Sequence, residues 1–160
     1  MIFVTTGTHN QQFDRLIEKI DKLVKEKKIT DEVLGQIGVT NYKPKNFKFF
    51  DFCSQEEFDA YCSQANIVVS HGGVGSIMTP LILKKKTIAV PRYKKFGEHQ
   101  DDHQMQIVKE LEKQNKILAV YDIEDLGKKI EEAKSWKPNF SRGQGKIISL
   151  IEEFVRGLDK

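Results

Sequence analysis

A glycine-rich turn between a β-branched run and the start of a helix could bind an anion. Ile67–Val69 predict a short strand buried on both faces, and the glycines after it allow positive φ and close approach of a ligand to the backbone. Ser76 is expected to cap the next helix, whose free N–H groups and partial positive charge suit a phosphate. A plain strand-to-helix turn is the alternative, but it requires fewer glycines. We therefore expect the ligand to contact Ser70, His71, Gly72, Gly73, Val74, Gly75 and Ser76.

A second group of ionisable side chains follows the predicted strand Thr87–Val90. This loop therefore lies at the same edge of the sheet as the glycine turn. His99 and His103 have a zinc-ligand spacing, but the residues between them do not form a metalloprotease pattern and no third ligand is evident, so we predict no metal site. One of the two aspartates could instead cap the following helix. The substrate-binding candidates in this loop are Arg92, His99, Asp101, Asp102 and Gln104.

The chain opens with a third candidate loop. Ile2–Val4 predict a strand, and apolar residues at helical spacing from Phe13 to Val24 predict an amphipathic helix. The polar turn between them also lies at the carboxyl edge of an open α/β sheet, where ligands bind. Ordinary turn chemistry explains this loop equally well when it is considered alone. Its candidate residues are Gly7, Thr8 and His9.

Strands and helices alternate along most of the chain. This alternation predicts an α/β fold with a doubly wound, Rossmann-like parallel sheet, in one domain that spans residues 1–160. Ser54 and Glu57 have the spacing of a capping box at the start of a helix that continues to Gln64. The remaining predicted strands are Glu32–Ile37, Phe47–Phe52 and Ile117–Tyr121, and the remaining predicted helices are Gln104–Gln114, Ile123–Ala133 and Lys146–Leu158.

Composition argues against several classes of protein. Charged residues are 31% and hydrophobic residues 39% of the 160, as in ordinary globular proteins, and a net charge of +3 is too small to predict nucleic-acid binding. No apolar run approaches the roughly 18 residues that a membrane span needs, and the N-terminus lacks the pattern of a signal peptide. Cys53 and Cys62 match no zinc or redox spacing, so reduced thiols are expected.

Together, the glycine turn and the segment Val90–Pro91 with Gly97–Gln104 resemble the C-terminal domain of family 28 glycosyltransferases. The opening Val4–Thr8, followed by Phe13–Ile17, is similar to stand-alone donor subunits. These are the PssE-like proteins of exopolysaccharide and capsule assembly and the sugar-nucleotide subunit of the dolichol-pathway N-acetylglucosaminyltransferase. The resemblance covers essentially the whole chain. It implies the donor-binding half of a GT-B enzyme, in which two Rossmann-like domains face each other across a cleft.

The resemblance also implies a function. The chain would bind a UDP-sugar, and a membrane-associated PssD-like partner would bind a lipid-linked saccharide acceptor. The pair would be an inverting, metal-independent hexosyltransferase with no cofactor, located in the cytoplasm and recruited by the partner to the inner face of the membrane. Residues 7–9 and 70–76 would face the diphosphate, and His99, Asp101 and Gln104 the donor sugar. The catalytic base is expected on the partner, with His9 and His99 as local candidates.

Thr79 departs from the pattern, because many relatives carry an acid there that binds the ribose hydroxyls. Threonine can donate a hydrogen bond but forms no charge-assisted pair, so Thr79 is only a candidate ribose contact. A non-catalytic subunit that enhances or scaffolds a partner's activity stays open as an alternative. A nicotinamide dinucleotide domain is disfavoured, because Met78 stands where its third glycine belongs. The last predicted helix either covers the sheet or docks on the partner.

Overall fold

The computed structural model describes residues 1–102 and 104–140. Six parallel strands form one sheet in the order β3-β2-β1-β4-β5-β6, which confirms the predicted doubly wound α/β fold. The predicted strands are all present, with ends that differ by at most two residues. The strands are β1 (Ile2–Thr5), β2 (Val33–Gln36), β3 (Lys48–Phe50), β4 (Ile67–Ser70), β5 (Lys86–Ala89) and β6 (Leu118–Ala119). The helices are α1 (Asp14–Lys25), α2 (Gln55–Gln64), α3 (Val74–Ile82), α4 (Gln104–Lys113) and α5 (Leu126–Ser135).

Alternate residues of each strand face two layers of helices. Ile2 and Val4 of β1 pack with α1 and α5 on one face, whereas Phe3 packs with α2 on the other. The second face also carries α3 and α4, which pack over Ala89 and Ala119. Both faces are covered at the centre of the sheet, so β1 and β4 are buried throughout and are apolar except for their last residue.

The order of the strands creates a crevice beside β1. β1 pairs with β2 on one side and with β4 on the other, and the winding of the chain reverses between β1 and β4. The loops after β1 and β4 therefore diverge toward opposite faces of the sheet. In doubly wound sheets this switch point, at the carboxyl ends of the strands, is where ligands bind.

Three helix starts test the local predictions. The capping box of α2 is confirmed: Ser54 Oγ accepts the Glu57 N–H at 3.1 Å, and the Glu57 carboxylate accepts the Ser54 N–H at 2.9 Å. The prediction that Ser76 caps α3 is wrong, because that helix begins after Gly73 and places Ser76 in its first turn. The predicted helix Ile123–Ala133 divides into a 3₁₀ turn at Ile123–Asp125 and the helix α5.

The predicted helix Lys146–Leu158 lies outside the described residues, as does His103. Among the helices formed by the described residues, none has the length and apolar character needed to cross a bilayer.

Candidate active site at the carboxyl edge of the sheet

The crevice beside β1 widens into a cleft of about 690 Å³. That volume is within the range of small-molecule sites, roughly 300–1,000 Å³. The start of α2 and the side chains of Gln36 and Met78 form part of the wall. Two of the three predicted loops meet here, and the residues they contribute, together with Thr79 of α3, are Gly7, Thr8, His9, His71, Gly73, Val74, Gly75, Ser76 and Thr79.

The His71 ring lies between the first loop and the glycine turn. A Cβ added to Gly7 would lie 2.3 Å from Nε2 of this ring, and one added to Gly73 would lie 2.2 Å from its Cε1. Gly7 also has a φ of +75°, a conformation that L side chains rarely adopt. The two glycines are therefore required by the ring between them, not only by the turns in which they occur.

The environment of His71 keeps its imidazole neutral. Burial, followed by the charge of Arg92, lowers the pKa of His71 to about 3. Its Nε2 lies 3.1 Å from Ser76 Oγ, while its buried Nδ1 has no hydrogen-bond partner among the described residues. The ring therefore orients the Ser76 hydroxyl without adding charge to the cleft.

The first turn of α3 opens into the cleft. In an α-helix the first N–H groups have no partner within the helix, and here the intrahelical ladder starts with Ile77 N–H to Gly73 C=O at 3.0 Å. No acidic side chain lies in this first turn to compete for the N–H groups. This helix start, together with the Ser76 hydroxyl, is suited to bind an anion.

His9 and His99 bring the loops after β1 and β5 together. Their rings stack with centroids 4.8 Å apart and an interplanar angle of 30°. His9 Nδ1 accepts the Gln11 N–H at 3.2 Å, and His99 Nδ1 accepts the Asp101 N–H at 3.2 Å. Burial, followed by the charges of Arg92 and His99, lowers the pKa of His9.

Asp102 and Gln104, two candidates from the segment after β5, accept hydrogen bonds from backbone N–H groups of the same segment. Asp102 Oδ1 accepts the Lys94 N–H at 3.1 Å, and Gln104 Oε1 accepts the Arg92 N–H at 3.3 Å. His99 lies outside α4, which begins at Gln104. His99, Asp101, Asp102 and Gln104 are not among the residues that line the cleft, so their contact with a donor sugar stays a prediction.

Arg92 does not reach the cleft, which corrects the expectation that it binds substrate. Its side chain is only 1% exposed, and its guanidinium donates hydrogen bonds to backbone carbonyls of the surrounding loops. The guanidinium also lies over the Phe13 ring, with its carbon 4.9 Å from the ring centroid. The position of Arg92 in the sequence correctly indicated the carboxyl edge of the sheet. The direction in which its side chain points depends on packing.

Three buried polar side chains, of which only Ser70 was a predicted site residue, lie side by side at the carboxyl ends of β2, β1 and β4. The register places Gln36 and Ser70 on either side of Thr5. Thr5 Oγ1 donates to Gln36 Oε1 at 2.8 Å and accepts the Gly7 N–H at 3.0 Å. The Ser70 hydroxyl has no partner among the described residues. In the sequence, each of these residues is visible only as a polar residue at the end of a buried strand. The register of the strands shows that the three residues are neighbours.

The described residues contain no group of three or more His, Cys, Asp or Glu side chains that could hold a metal ion. Transfer without a metal remains a prediction from the sequence.

Comparison with known proteins identifies the family. Residues 1–151 match the model of the glycosyltransferase family 28 C-terminal domain. The chain belongs to this family. A curated relative, the UDP-N-acetylglucosamine transferase subunit ALG13 of Debaryomyces hansenii, is 26% identical over 114 residues. That alignment covers 66% of this chain and 54% of the relative, so the chain spans about half the length of the curated protein it matches.

Solved structures share the fold of this family 28 domain. The solution structure of ALG13 has a TM-score of 0.64 at 16% identity and covers 100% of this chain and 97% of that one. The glycosyltransferase of kitacinnamycin has a TM-score of 0.61 at 18% identity, and the match covers 98% of this chain and 39% of that one. VinC, solved in complex with dTDP, has a TM-score of 0.54 at 13% identity, and the match covers 97% of this chain and 40% of that one. At these identities the likeness shows the fold alone, the Rossmann-like domain of GT-B glycosyltransferases.

Proposed function

We propose that this chain is the UDP-sugar-binding subunit of a two-component glycosyltransferase. The observation that carries the proposal is the start of α3, which opens into the cleft opposite Gly7 without a competing acidic side chain. Free helical N–H groups, a serine hydroxyl and a neutral imidazole suit a diphosphate. Family membership supports the same ligand class.

The chemistry of transfer requires stabilisation of the leaving group. When the bond between the sugar and the diphosphate breaks, negative charge grows on the phosphate oxygens. Donors that are already oriented stabilise such charge without reorganisation, and here they are the α3 N–H groups and the Ser76 hydroxyl held by His71. The transfer would be inverting and independent of a metal or other cofactor.

A separate acceptor-binding protein completes this proposal. The curated relative is named as a subunit of a UDP-N-acetylglucosamine transferase, which supports a second component. A membrane-associated, PssD-like protein would bring a lipid-linked saccharide acceptor and the catalytic base. The relative's name makes UDP-N-acetylglucosamine the first donor to test. The comparisons do not support exopolysaccharide or capsule assembly in particular, so that setting stays a prediction from the sequence.

Calorimetry on the purified chain tests the nucleotide site. We expect binding of UDP and no binding of NAD. Ser76→Ala removes one donor from the cleft and should weaken UDP binding several-fold, by about 1 kcal/mol. Ser63→Ala, at an exposed position of α2, is the matched control and should bind UDP as the wild type does. Equal UDP affinity of the Ser76 and Ser63 variants would contradict the site.

Co-expression with a partner separates the donor subunit from a non-catalytic enhancer. Thr79 on the wall of the cleft, in place of the usual acid, favours the enhancer as the second candidate. We expect transfer only when both proteins are present, and loss of turnover in a Ser76→Ala complex that still assembles. Turnover that survives every cleft substitution would favour the enhancer, whereas transfer by the 160-residue chain alone would overturn the two-component proposal.

A further inference from the structure

Arg92 connects three backbone segments next to the cleft. Its Nη1 donates to the carbonyl oxygens of Gln11 at 2.9 Å, Gln12 at 3.1 Å and Glu98 at 3.0 Å. Its Nη2 donates to the carbonyl oxygen of Thr6 at 2.5 Å. These acceptors lie at two places in the loop between β1 and α1, and in the loop after β5, to which Arg92 itself belongs. One side chain therefore sets the relative position of loops that are far apart in the sequence.

The same loops carry the stacked histidines. His9 lies between the Thr6 and Gln11 carbonyls in the chain, and His99 directly follows the Glu98 carbonyl. The 4.8 Å distance between the two rings therefore depends on how Arg92 holds the two backbones. A planar guanidinium with five donors can hold several carbonyls at once, which a lysine ammonium cannot do in the same geometry.

Among the described residues, no carboxylate contacts the guanidinium of Arg92. Its four acceptors are neutral carbonyls, and the Glu98 carboxylate binds Arg15 through two hydrogen bonds of 3.0 Å each. The charges of Arg15 and Glu98 thus balance each other. The positive charge of Arg92 has no contacting carboxylate among the described residues. Burying an unmatched charge is costly. Burial lowers the pKa of Arg92 to about 10, and the Glu98 charge opposes that change.

The charge of Arg92 lies next to the cleft, because its Nη2 donates to the carbonyl oxygen of Thr6, and the following residue, Gly7, lines the cleft. Its positive charge contributes to the lowered pKa of both His9 and His71, which line the cleft. A charge that disfavours a second cation at this place favours an anion there by the same Coulomb interaction.

We propose that Arg92 is a positioning residue that braces the loops after β1 and β5 and places its positive charge next to the cleft that would hold the ligand's diphosphate. It does so without touching the ligand. This inference rests on the proposed function, because it assigns Arg92 to the same nucleotide site. It predicts that the contribution of Arg92 to binding grows with the negative charge of the ligand.

Three variants separate the hydrogen bonds by which Arg92 holds the two loops from the effect of its positive charge. Arg92→Met removes both, Arg92→Lys keeps the charge, and Lys95→Met removes the same charge from an exposed position in the same loop. Calorimetry at pH 7 with uridine, UMP and UDP compares ligands of increasing charge. We expect Arg92→Met to lose about tenfold or more in UDP affinity, less for UMP and no more than about twofold for uridine. Lys95→Met should match the wild type, because an exposed charge is screened by solvent.

The results that overturn the inference are distinct. An equal loss for all three ligands in Arg92→Met would indicate a structural role alone, and unchanged UDP affinity would remove Arg92 from the site. If Arg92→Met does not fold, Arg92→Lys decides. Its ratio of UDP to uridine affinity should stay within about twofold of the wild type, and a collapse of that ratio would refute the charge effect.

An NMR titration of the histidines without nucleotide keeps this inference separate from the proposed function. In Arg92→Met we expect the pKa of His9 to rise, and in Arg92→Lys we expect it to stay lowered. If the wild type binds no UDP, the proposed function fails, whereas the titration of His9 still reports whether the field of Arg92 reaches the cleft. An unchanged His9 pKa in Arg92→Met would refute that field.

Discussion

Gly73→Ala adds one methyl group at a position where the His71 ring already lies. The new Cβ would lie 2.2 Å from Cε1 of the ring, whereas ordinary contacts begin at 3.4 Å. The backbone at Gly73, with φ −73° and ψ 142°, suits alanine, so the obstacle is the His71 ring, which supplies the three nearest atoms. We expect the ring to be displaced and its contact with the Ser76 hydroxyl to break.

The expected loss follows from these contacts. Overpacking of a well-packed site costs about 1–3 kcal/mol. Loss of one hydrogen bond adds about 1 kcal/mol. Gly73→Ala should therefore lower the free energy of unfolding by roughly 2–4 kcal/mol. It should also weaken UDP binding by tenfold or more, since the displaced ring enters the cleft.

Urea unfolding and UDP calorimetry measure the two effects, and Gly75→Ala is the matched control. An added Cβ at Gly75 meets nothing within 4 Å, and the residue lies in α3. Alanine favours a helix over glycine by up to about 1 kcal/mol, so this variant should be as stable as the wild type or slightly more stable. The double variant His71→Ala with Gly73→Ala relieves the clash, so it should lose less stability than the sum of the two single changes.

One result would refute the reasoning. If Gly73→Ala behaves as Gly75→Ala does in urea unfolding, the His71 ring does not lie against Gly73. Backbone conformation alone would then explain why the turn contains glycines.

Three further predictions concern ionisable side chains. Burial raises the pKa of Asp21, but hydrogen bonds led by the Tyr42 hydroxyl, at 2.6 Å, lower it overall. This carboxylate therefore adds stability above its ordinary pKa of 3.8 that is lost as the pH falls through the lowered value, and Asp21→Asn should flatten that part of a urea-unfolding profile. Arg15→Met leaves the Glu98 carboxylate, which is 1% exposed, without its ion-pair partner and should cost up to about 3 kcal/mol in the same assay. For His71, whose pKa burial lowers from 6.5 to about 3, we expect stability to decrease as the pH falls across that window, with a neutral ring by NMR at pH 5.

Each of these predictions has a contrary outcome. An unfolding profile of Asp21→Asn parallel to that of the wild type below pH 5 would show that the carboxylate is not held by these hydrogen bonds. Lys28→Met, which removes a cation from an exposed ion pair, is the control for Arg15→Met, and equal losses in the two variants would count against the buried pair. A His71 titration midpoint near 6.5 would show that the ring is not buried.

Local patterns predicted the strand–turn–helix unit around residues 67–82, the capping box at Ser54 and the parallel sheet, because backbone conformation in these places depends on neighbouring residues. The helix start was misplaced by three residues, since Gly73 and Ser76 are both plausible caps in the sequence. In the structure the Ser76 hydroxyl contacts the His71 ring and does not cap the helix.

The amino-acid sequence by itself determined the order of the elements and which loops end at the ligand-binding edge, because periodicity and turn chemistry are local. Only the tertiary structure decided where the side chains point. Arg92 meets the Thr6 carbonyl across 86 residues, and His9 meets His99 across a similar separation. The neighbours of Thr5 depend on strand register, and no local pattern specifies register between strands that are far apart in the chain. For that reason Arg92 was predicted as a ligand contact, whereas packing against Phe13 and the loop carbonyls turns it inward.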